Sequence, residues 1–246
     1  MAPADDFDGF LIDLDGVVWI GREPVPGAAE ALAALLEAGK RIVFVTNNPG
    51  KPPAAYAERL REMGVEVGAE RVVTAGMVAA RLAGEAAGPG GSAFVIGAAP
   101  LKEMVAEDLS VLEGEAGREA DVVVVSGHRG FDYDELLTAK LALDGGAAFL
   151  ATSRDPTMPM PGGGWPGTGA VLAAVETASG RVAEIAGKPE RHLFEMALAA
   201  LAPGSLRTND VQEEPRDLRV AMVGDRVSSD IEGGRRAGLE TVLALS

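Results

Sequence analysis

The chain has 246 residues, 37 acidic against 22 basic side chains and a net charge of −15, which excludes the basic footprint that nucleic acid requires. It contains no cysteine, so disulfides, thiolate nucleophiles and thiolate metal sites are excluded. Hydrophobic content of 47% with 24% charged residues describes a globular chain, no apolar run approaches a membrane span, and the short acidic segment Met1 to Phe7 carries no signal-peptide pattern, so a cytoplasmic location is expected.

Phe10-Leu11-Ile12 reads as a buried parallel strand that runs into Asp13-Leu14-Asp15-Gly16. Ligands of open α/β sheets sit at the carboxyl ends of strands, and alternation puts side chains i and i+2 on one side. Two carboxylates held there ask for a divalent cation, or for an acid and a base. Gly27 to Ala38 carries Leu32, Leu35 and Leu36 on one side and reads as a helix stopped by Gly39. Arg41 to Thr46 is a second buried strand, ended by the turn Asn47-Asn48-Pro49-Gly50. A helix over Pro53 to Met63, a strand at Val72 to Thr74 and a helix through Leu82 follow. This β-α-β-α-β order implies right-handed crossovers and a parallel sheet.

Gly88-Pro89-Gly90-Gly91 is the clearest punctuation, and a second α/β run opens after it. It comprises strands at Phe94 to Ile96 and Asp121 to Val125, a helix over Tyr133 to Leu143 and a strand at Ala147 to Thr152. Ser153 to Gly167 is a Pro/Gly-rich loop long enough to be read as functional. A helix over Gly169 to Ala178 and a strand at Val182 to Ala186 complete this run. Gly187-Lys188-Pro189 then opens a helix over Arg191 to Leu201, followed by a polar loop from Ala202 to Asp217. Leu218 to Val223 is a buried strand ending in Gly224-Asp225, Ile231 to Ala237 a helix, and Thr241 to Leu245 a last strand.

Asp13-x-Asp15, Thr46-Asn47-Asn48, Lys188, and Asp225 with Asp230 all stand at strand ends or helix starts. Singly each is weak, because such residues commonly make turns or satisfy backbone groups. Together, in this order on one α/β pattern, they are hard to explain as turns. The set resembles the four motifs of the haloacid-dehalogenase superfamily of phosphohydrolases, here Asp13-Leu14-Asp15-Gly16-Val17-Val18, Thr46, Lys188 and Gly224-Asp225-Arg226-Val227-Ser228-Ser229-Asp230. Thr46-Asn47-Asn48, the α/β block inserted before Lys188, Pro166-Gly167-Thr168-Gly169 and Val175 to Arg181 resemble its NagD-like, or 4-nitrophenylphosphatase-like, branch.

That resemblance implies an α/β fold with a Rossmann-like core, residues 1–82 and 184–246, and an inserted α/β cap, residues 83–183. It implies Mg²⁺-dependent hydrolysis of small phosphate monoesters. Asp13 would attack phosphorus and form an aspartyl-phosphate. Asp15 would protonate the leaving alkoxide and later deprotonate water. The Asp13 and Asp225 carboxylates and the Asp15 backbone carbonyl would hold Mg²⁺, with Asp230 behind them steadying metal waters or Lys188. Thr46 and the Asn47 amide would hold phosphate oxygens, and Lys188 would offset charge on Asp13 and the phosphoryl group. Ser228 stands where many relatives carry an acid, which touches only an auxiliary hydrogen bond. The chain ends at Ser246, where relatives continue through a further helix, so one edge of the core is expected to be less covered.

Substrate contacts are expected from Asn48 and from Arg154, Asp155 and Met158 in the cap loop. Pyridoxal-phosphate phosphatases of this branch carry a histidine at the position of Met158, whereas glycerol-phosphate and phosphoglycolate phosphatases carry an aliphatic residue. Small aliphatic phosphates are therefore the expected substrates, with nucleotide monophosphates, sugar phosphates and pyridoxal phosphate as alternatives. A phosphotransferase or a non-catalytic phosphometabolite-binding regulator is the alternative of another class, and the intact Asp13/Asp15 pair argues against the latter. A homodimer through the cap is expected, with no nucleic acid and no membrane partner. His128 and His192 sit in no motif and read as ordinary polar residues. Trp19 reads as a lid over the nucleophile loop or as packing at the cap interface.

Overall fold

The computed structural model describes residues 3–160, 162–202 and 218–245. In chain order it forms β1 (Gly9–Asp13), β2 (Trp19–Ile20), β3 (Glu23–Pro24), α1 (Ala28–Glu37), β4 (Arg41–Thr46), α2 (Pro53–Glu62), β5 (Val72–Thr74) and α3 (Ala75–Ala87). There follow β6 (Ser92–Ile96), α4 (Ala99–Ala106), β7 (Ser110–Val111), β8 (Val122–Val125), α5 (Tyr133–Asp144), β9 (Ala148–Ala151), β10 (Thr157–Met158) and β11 (Trp165–Pro166). The last elements are α6 (Thr168–Ser179), β12 (Glu184–Ile185), α7 (Arg191–Leu201), β13 (Val220–Gly224), α8 (Glu232–Arg236) and β14 (Glu240–Leu243).

The chain divides into two compact units, Met1–Thr46 with Pro53–Val73 and Lys188–Ser246, and Asn47–Pro52 with Thr74–Gly187. The first holds a five-stranded sheet in the order β14-β13-β1-β4-β5. β1 pairs in parallel with β13 on one side and β4 on the other. Every residue of β1 is buried, as an apolar strand covered on both faces must be. Phe10, Ile12, Leu14, Trp19, Phe44, Tyr56 and Leu60 share one core cluster. Strand order reverses at β1, and such a switch point opens a crevice at the carboxyl ends of its strands. Asp13, Thr46 and Gly224 are the last residues of β1, β4 and β13, so the topology brings them to one edge.

The second unit has its own parallel sheet, ordered β12-β9-β8-β6-β7. β8 is four consecutive buried valines, and Phe94, Phe149, Leu143, Leu172 and Val175 share its core. α3 groups with this unit and packs against β6, β8, β9 and α4. The boundary expected after Leu82 falls inside α3, and the glycine punctuation expected at Gly88 to Gly91 follows the helix. Gly88, at φ 74°, merely ends the helix, while the buried face of Val78, Ala79, Leu82 and Ala83 decides which sheet α3 covers.

Other elements depart from expectation. α4 has a proline in its first turn and buries Leu101 and Val105, one turn apart. The Ser153 to Gly167 loop carries the short antiparallel pair β10–β11. The expected helix from Ile231 begins instead as a π turn, Val227–Ile231, that runs into α8. Pro161, Ser246 and all but the first residue of the polar loop expected over Ala202 to Asp217 lie outside the described residues. Phe44 is fully buried in the first core. Phe44→Ala should therefore cost about 3–5 kcal/mol, read as a lower urea midpoint at unchanged slope; a loss under about 1 kcal/mol would contradict this assignment of the core.

Candidate active site

The site begins with the turn after β1. Val18 and Trp19 N–H donate to Leu14 O at 2.9 and 3.2 Å, and Gly16 N–H donates to Trp19 O at 2.7 Å. Gly16 has φ 104°, and a Cβ there would lie 2.3 Å from Asp225 Oδ2. A glycine is thus needed both for the backbone and for the approach of a carboxylate. Asp15 is held at both oxygens: Trp19 Nε1–H donates to Oδ1 at 3.0 Å and Thr46 Oγ1 to Oδ2 at 3.2 Å.

Lys188 enters from the start of the last section. Its Nζ donates to Asp13 Oδ1 at 2.5 Å and lies 2.6 Å from Asp230 Oδ1, with all three side chains buried. Burial alone would strip the ammonium of its proton, but Asp13 and Asp230 hold it charged, above its ordinary value. Burial pushes Asp13 well above its ordinary value; Lys188 pulls it back and Asp230 pushes it further up. Asp230 is fixed by the Arg226 backbone N–H, 3.0 Å from its Oδ2. Its side chain fills the space a Cβ on Gly224 would need, 2.2 Å from Asp230 Cβ. The Gly-Asp pair ending β13 is therefore an approach site for a carboxylate.

Oxygen atoms of Asp13, Asp225 and Asp230 lie within 4.8 Å of one another. Asp225 Oδ1 is buried with no hydrogen-bond partner among protein atoms. Burial, then Asp230, raises Asp225 above its ordinary value. Lys188 reaches two of the three carboxylates, and the remaining charge and the orphaned oxygen fit a hard cation. An all-oxygen donor set suits Mg²⁺.

In the second unit, Asn47 Nδ2 donates to Asp155 Oδ2 at 2.8 Å, so the residue after Thr46 is tied to the loop that follows β9. Asn48 Oδ1 accepts from Gly50 N–H at 2.9 Å and closes the turn. Arg154 makes a two-pronged pair with Glu176 at 2.9 and 2.7 Å. Met158 is half-buried in β10, opposite Trp165. The Pro166-Gly167-Thr168-Gly169 motif clamps this loop: Gly169 N–H donates to Asp155 O at 2.8 Å, and a Cβ on Gly169 would lie 2.5 Å from Arg154 O. His128 is satisfied by Glu135 at 2.8 Å, as an ordinary polar residue.

Asp13, Asp15, Thr46, Lys188, Asp225 and Asp230 thus converge in the first unit, while Asn47, Asn48, Arg154, Asp155 and Met158 belong to the second. Trp19, expected as a lid or as packing at the cap interface, belongs to the first unit's core cluster. It is fully buried in the first core, parallel to Tyr56 at 6° and 6.3 Å, with the Arg59 guanidinium 3.9 Å from its ring centroid. The signal was its indole N–H, which needs a partner when buried.

A haloacid dehalogenase-like hydrolase model matches residues 10–108, and a second, HAD-hydrolase-like, matches residues 185–246. Chronophin of Mus musculus is 38% identical over 97% of this chain and 80% of its own length. Glycerol-3-phosphate phosphatase of Homo sapiens is 37% identical over 98% of this chain and 79% of its own length. The structure of a glycerol phosphate phosphatase from Mycobacterium tuberculosis in complex with magnesium superposes with a TM-score of 0.84 at 34% identity, covering 98% of this chain and 68% of that one.

The raised carboxylates have a consequence for stability. A group whose folded pKa lies above its unfolded value favours the fold below that value and loses the contribution as pH rises through the folded value. Asp225, ordinarily at 3.8, therefore weighs against the metal-free fold at neutral pH. In EDTA at neutral pH, Asp225→Asn should melt higher than wild type, by about 2–4 °C per kcal/mol relieved, and the gain should vanish toward pH 4. A lower melting temperature at neutral pH would contradict this electrostatic reading.

Proposed function

We propose a substrate class and a set of residue roles for this chain, which belongs to the haloacid dehalogenase-like hydrolases and is a Mg²⁺-dependent phosphatase. It hydrolyses small aliphatic phosphate monoesters such as glycerol phosphate or phosphoglycolate. The observation that carries the roles is the buried Lys188 ammonium 2.5 Å from Asp13 Oδ1, with Asp15 and Thr46 hydrogen-bonded alongside.

Asp13 is the nucleophile. Its carboxylate attacks phosphorus as the bond to the leaving oxygen breaks, giving an aspartyl-phosphate. Asp15 gives its proton to that oxygen, then removes one from the water that attacks phosphorus and returns Asp13 to a carboxylate. Thr46 and the Asn47 backbone N–H hold phosphoryl oxygens. Lys188 favours the ionised form of Asp13 and offsets the charge that develops on the phosphoryl group. When bound by the Asp13 and Asp225 carboxylates and the Asp15 carbonyl, Mg²⁺ supplies the remaining neutralisation. Asp230 holds Lys188 from behind. The first unit is the catalytic core and the second the cap that selects substrate, through Asn48, Arg154, Asp155 and Met158. Arg154 acts there through its pair with Glu176, fixing the loop that presents Asp155. The active protein is a cytoplasmic homodimer assembled through the cap.

Met158 supports the substrate class, because it offers an apolar contact and no polar partner for a pyridine ring. A missing polar partner costs far more specificity than a missing methylene. After EDTA treatment and restoration with Mg²⁺, kcat/KM for glycerol phosphate or phosphoglycolate should exceed that for pyridoxal phosphate. A higher value for pyridoxal phosphate than for every two- or three-carbon phosphate tested would overturn the substrate assignment.

A further inference from the structure

Trp19 lies four residues after Asp15 on the same turn, and nothing in its hydrophobic character requires its N–H to meet that carboxylate. A buried indole N–H is satisfied by any backbone carbonyl. Here Nε1–H donates to Asp15 Oδ1 at 3.0 Å, across a turn that the Gly16–Trp19 and Trp19–Leu14 backbone bonds close. The indole is itself fixed. It is fully buried, stacked parallel to Tyr56, and covered by the Arg59 guanidinium at 3.9 Å. A cation over the ring draws electron density from it and strengthens the N–H as a donor. Tyr56 and Arg59 both come from α2, so that helix holds the indole against the loop.

We infer that Trp19 is a positioning residue that fixes which oxygen of Asp15 works on the substrate. The inference rests on the proposed acid and base role of Asp15. An indole nitrogen donates only and has no lone pair in the ring plane with which to accept. Asp15 Oδ1 therefore only accepts from it, whereas the Thr46 hydroxyl facing Oδ2 can accept as well as donate, so Oδ2 is the oxygen that can carry the proton a general acid delivers. Oδ2 is the oxygen beside Thr46 Oγ1, 3.2 Å away, on the side where the phosphoryl oxygens are held. As the bond from phosphorus to the leaving oxygen breaks, the Oδ2 proton passes to that oxygen and Asp15 becomes a carboxylate. In the second half the same oxygen takes a proton from the attacking water as the bond from phosphorus to Asp13 breaks. Without the indole N–H only the Thr46 bond holds the carboxyl group, and orientations that aim the proton away from the leaving group become accessible.

The test compares kcat/KM for glycerol 3-phosphate, whose alkoxide needs a proton, with that for p-nitrophenyl phosphate, whose leaving group barely does. Trp19→Phe should lower the first by about ten- to a hundredfold more than the second, less than the roughly 10²–10⁴-fold that general acid–base catalysis contributes in full. Mg²⁺ affinity by calorimetry should stay unchanged, since the metal-holding carboxylates are not touched. An equal loss on both esters, or no loss, overturns the role of Trp19. Asp15→Asn, assayed alongside, separates the two readings. If it too loses both esters equally, the acid role of Asp15 fails and Trp19 falls with it; if it discriminates and Trp19→Phe does not, only Trp19 falls. Should Trp19→Phe fail to fold, the chain's other tryptophan makes a second variant accessible. In a Trp165→Phe background, benzothienylalanine replaces Trp19 with a sulfur in place of N–H at nearly constant shape. The same selective loss, relative to the Trp165→Phe parent, is expected, and an unchanged ester ratio overturns the inference.

Discussion

The buried Lys188 ammonium, 2.5 Å from Asp13 and 2.6 Å from Asp230, is what lets this chain take so much negative charge out of water in one place. Two carboxylates that close would repel by several kcal/mol at the effective dielectric of a protein interior. One ammonium between them turns the repulsion into a bridge. It leaves Asp225 raised above its ordinary value by burial and by Asp230, with a buried oxygen that no donor among the described residues meets. Three carboxylates against one ammonium leave the cluster two positive charges short, and a divalent cation completes it. The same deficit makes the site costly without metal, which is how a binding site differs from a structural ion pair.

Backbone geometry makes the crowding sterically possible. Gly16 and Gly224 stand where Cβ atoms would lie 2.3 Å from Asp225 Oδ2 and 2.2 Å from Asp230 Cβ. These glycines end or follow adjacent parallel strands, so the sheet, rather than the loops alone, sets the distances between carboxylates. Rigid elements hold reacting groups more closely than loops do. The Asp15 carboxylate is held differently, by Thr46 at one oxygen and at the other by a side chain from its own turn that is anchored in the core. Asp15 thus takes its orientation from the hydrophobic packing of Trp19 against α2.

Much of this was legible in the residues because burial and charge conflict so sharply there. An apolar strand that runs into Asp13 and Asp15 has few explanations, and Lys188 after a glycine has a partner to find. α7, from Arg191 to Leu201, and β4, from Arg41 to Thr46, read directly from their apolar periodicity. α4 did not, because eight residues with a proline and two buried side chains carry too little periodicity. The pairs β2–β3 and β10–β11 are two residues long on each strand and leave no alternation to detect. α3 was legible as a helix, but which sheet it covers depends on tertiary packing, which glycine punctuation does not encode. Trp19 was ambiguous for the same reason. Its apolar ring announced burial, while the destination of its N–H depended on how the turn after β1 closes.

The claim beneath all of this is that the lysine-paired carboxylate of Asp13 accepts the phosphoryl group. Asp15→Asn protein, reacted with radiolabelled p-nitrophenyl phosphate and quenched in acid, tests it most directly, because the nitrophenolate leaves without an acid while the water step lacks its base. The account predicts label held as an acyl phosphate, released by hydroxylamine, in the peptide that contains Asp13. Label on another residue, or release of nitrophenol with no phosphoenzyme at any time, would contradict it.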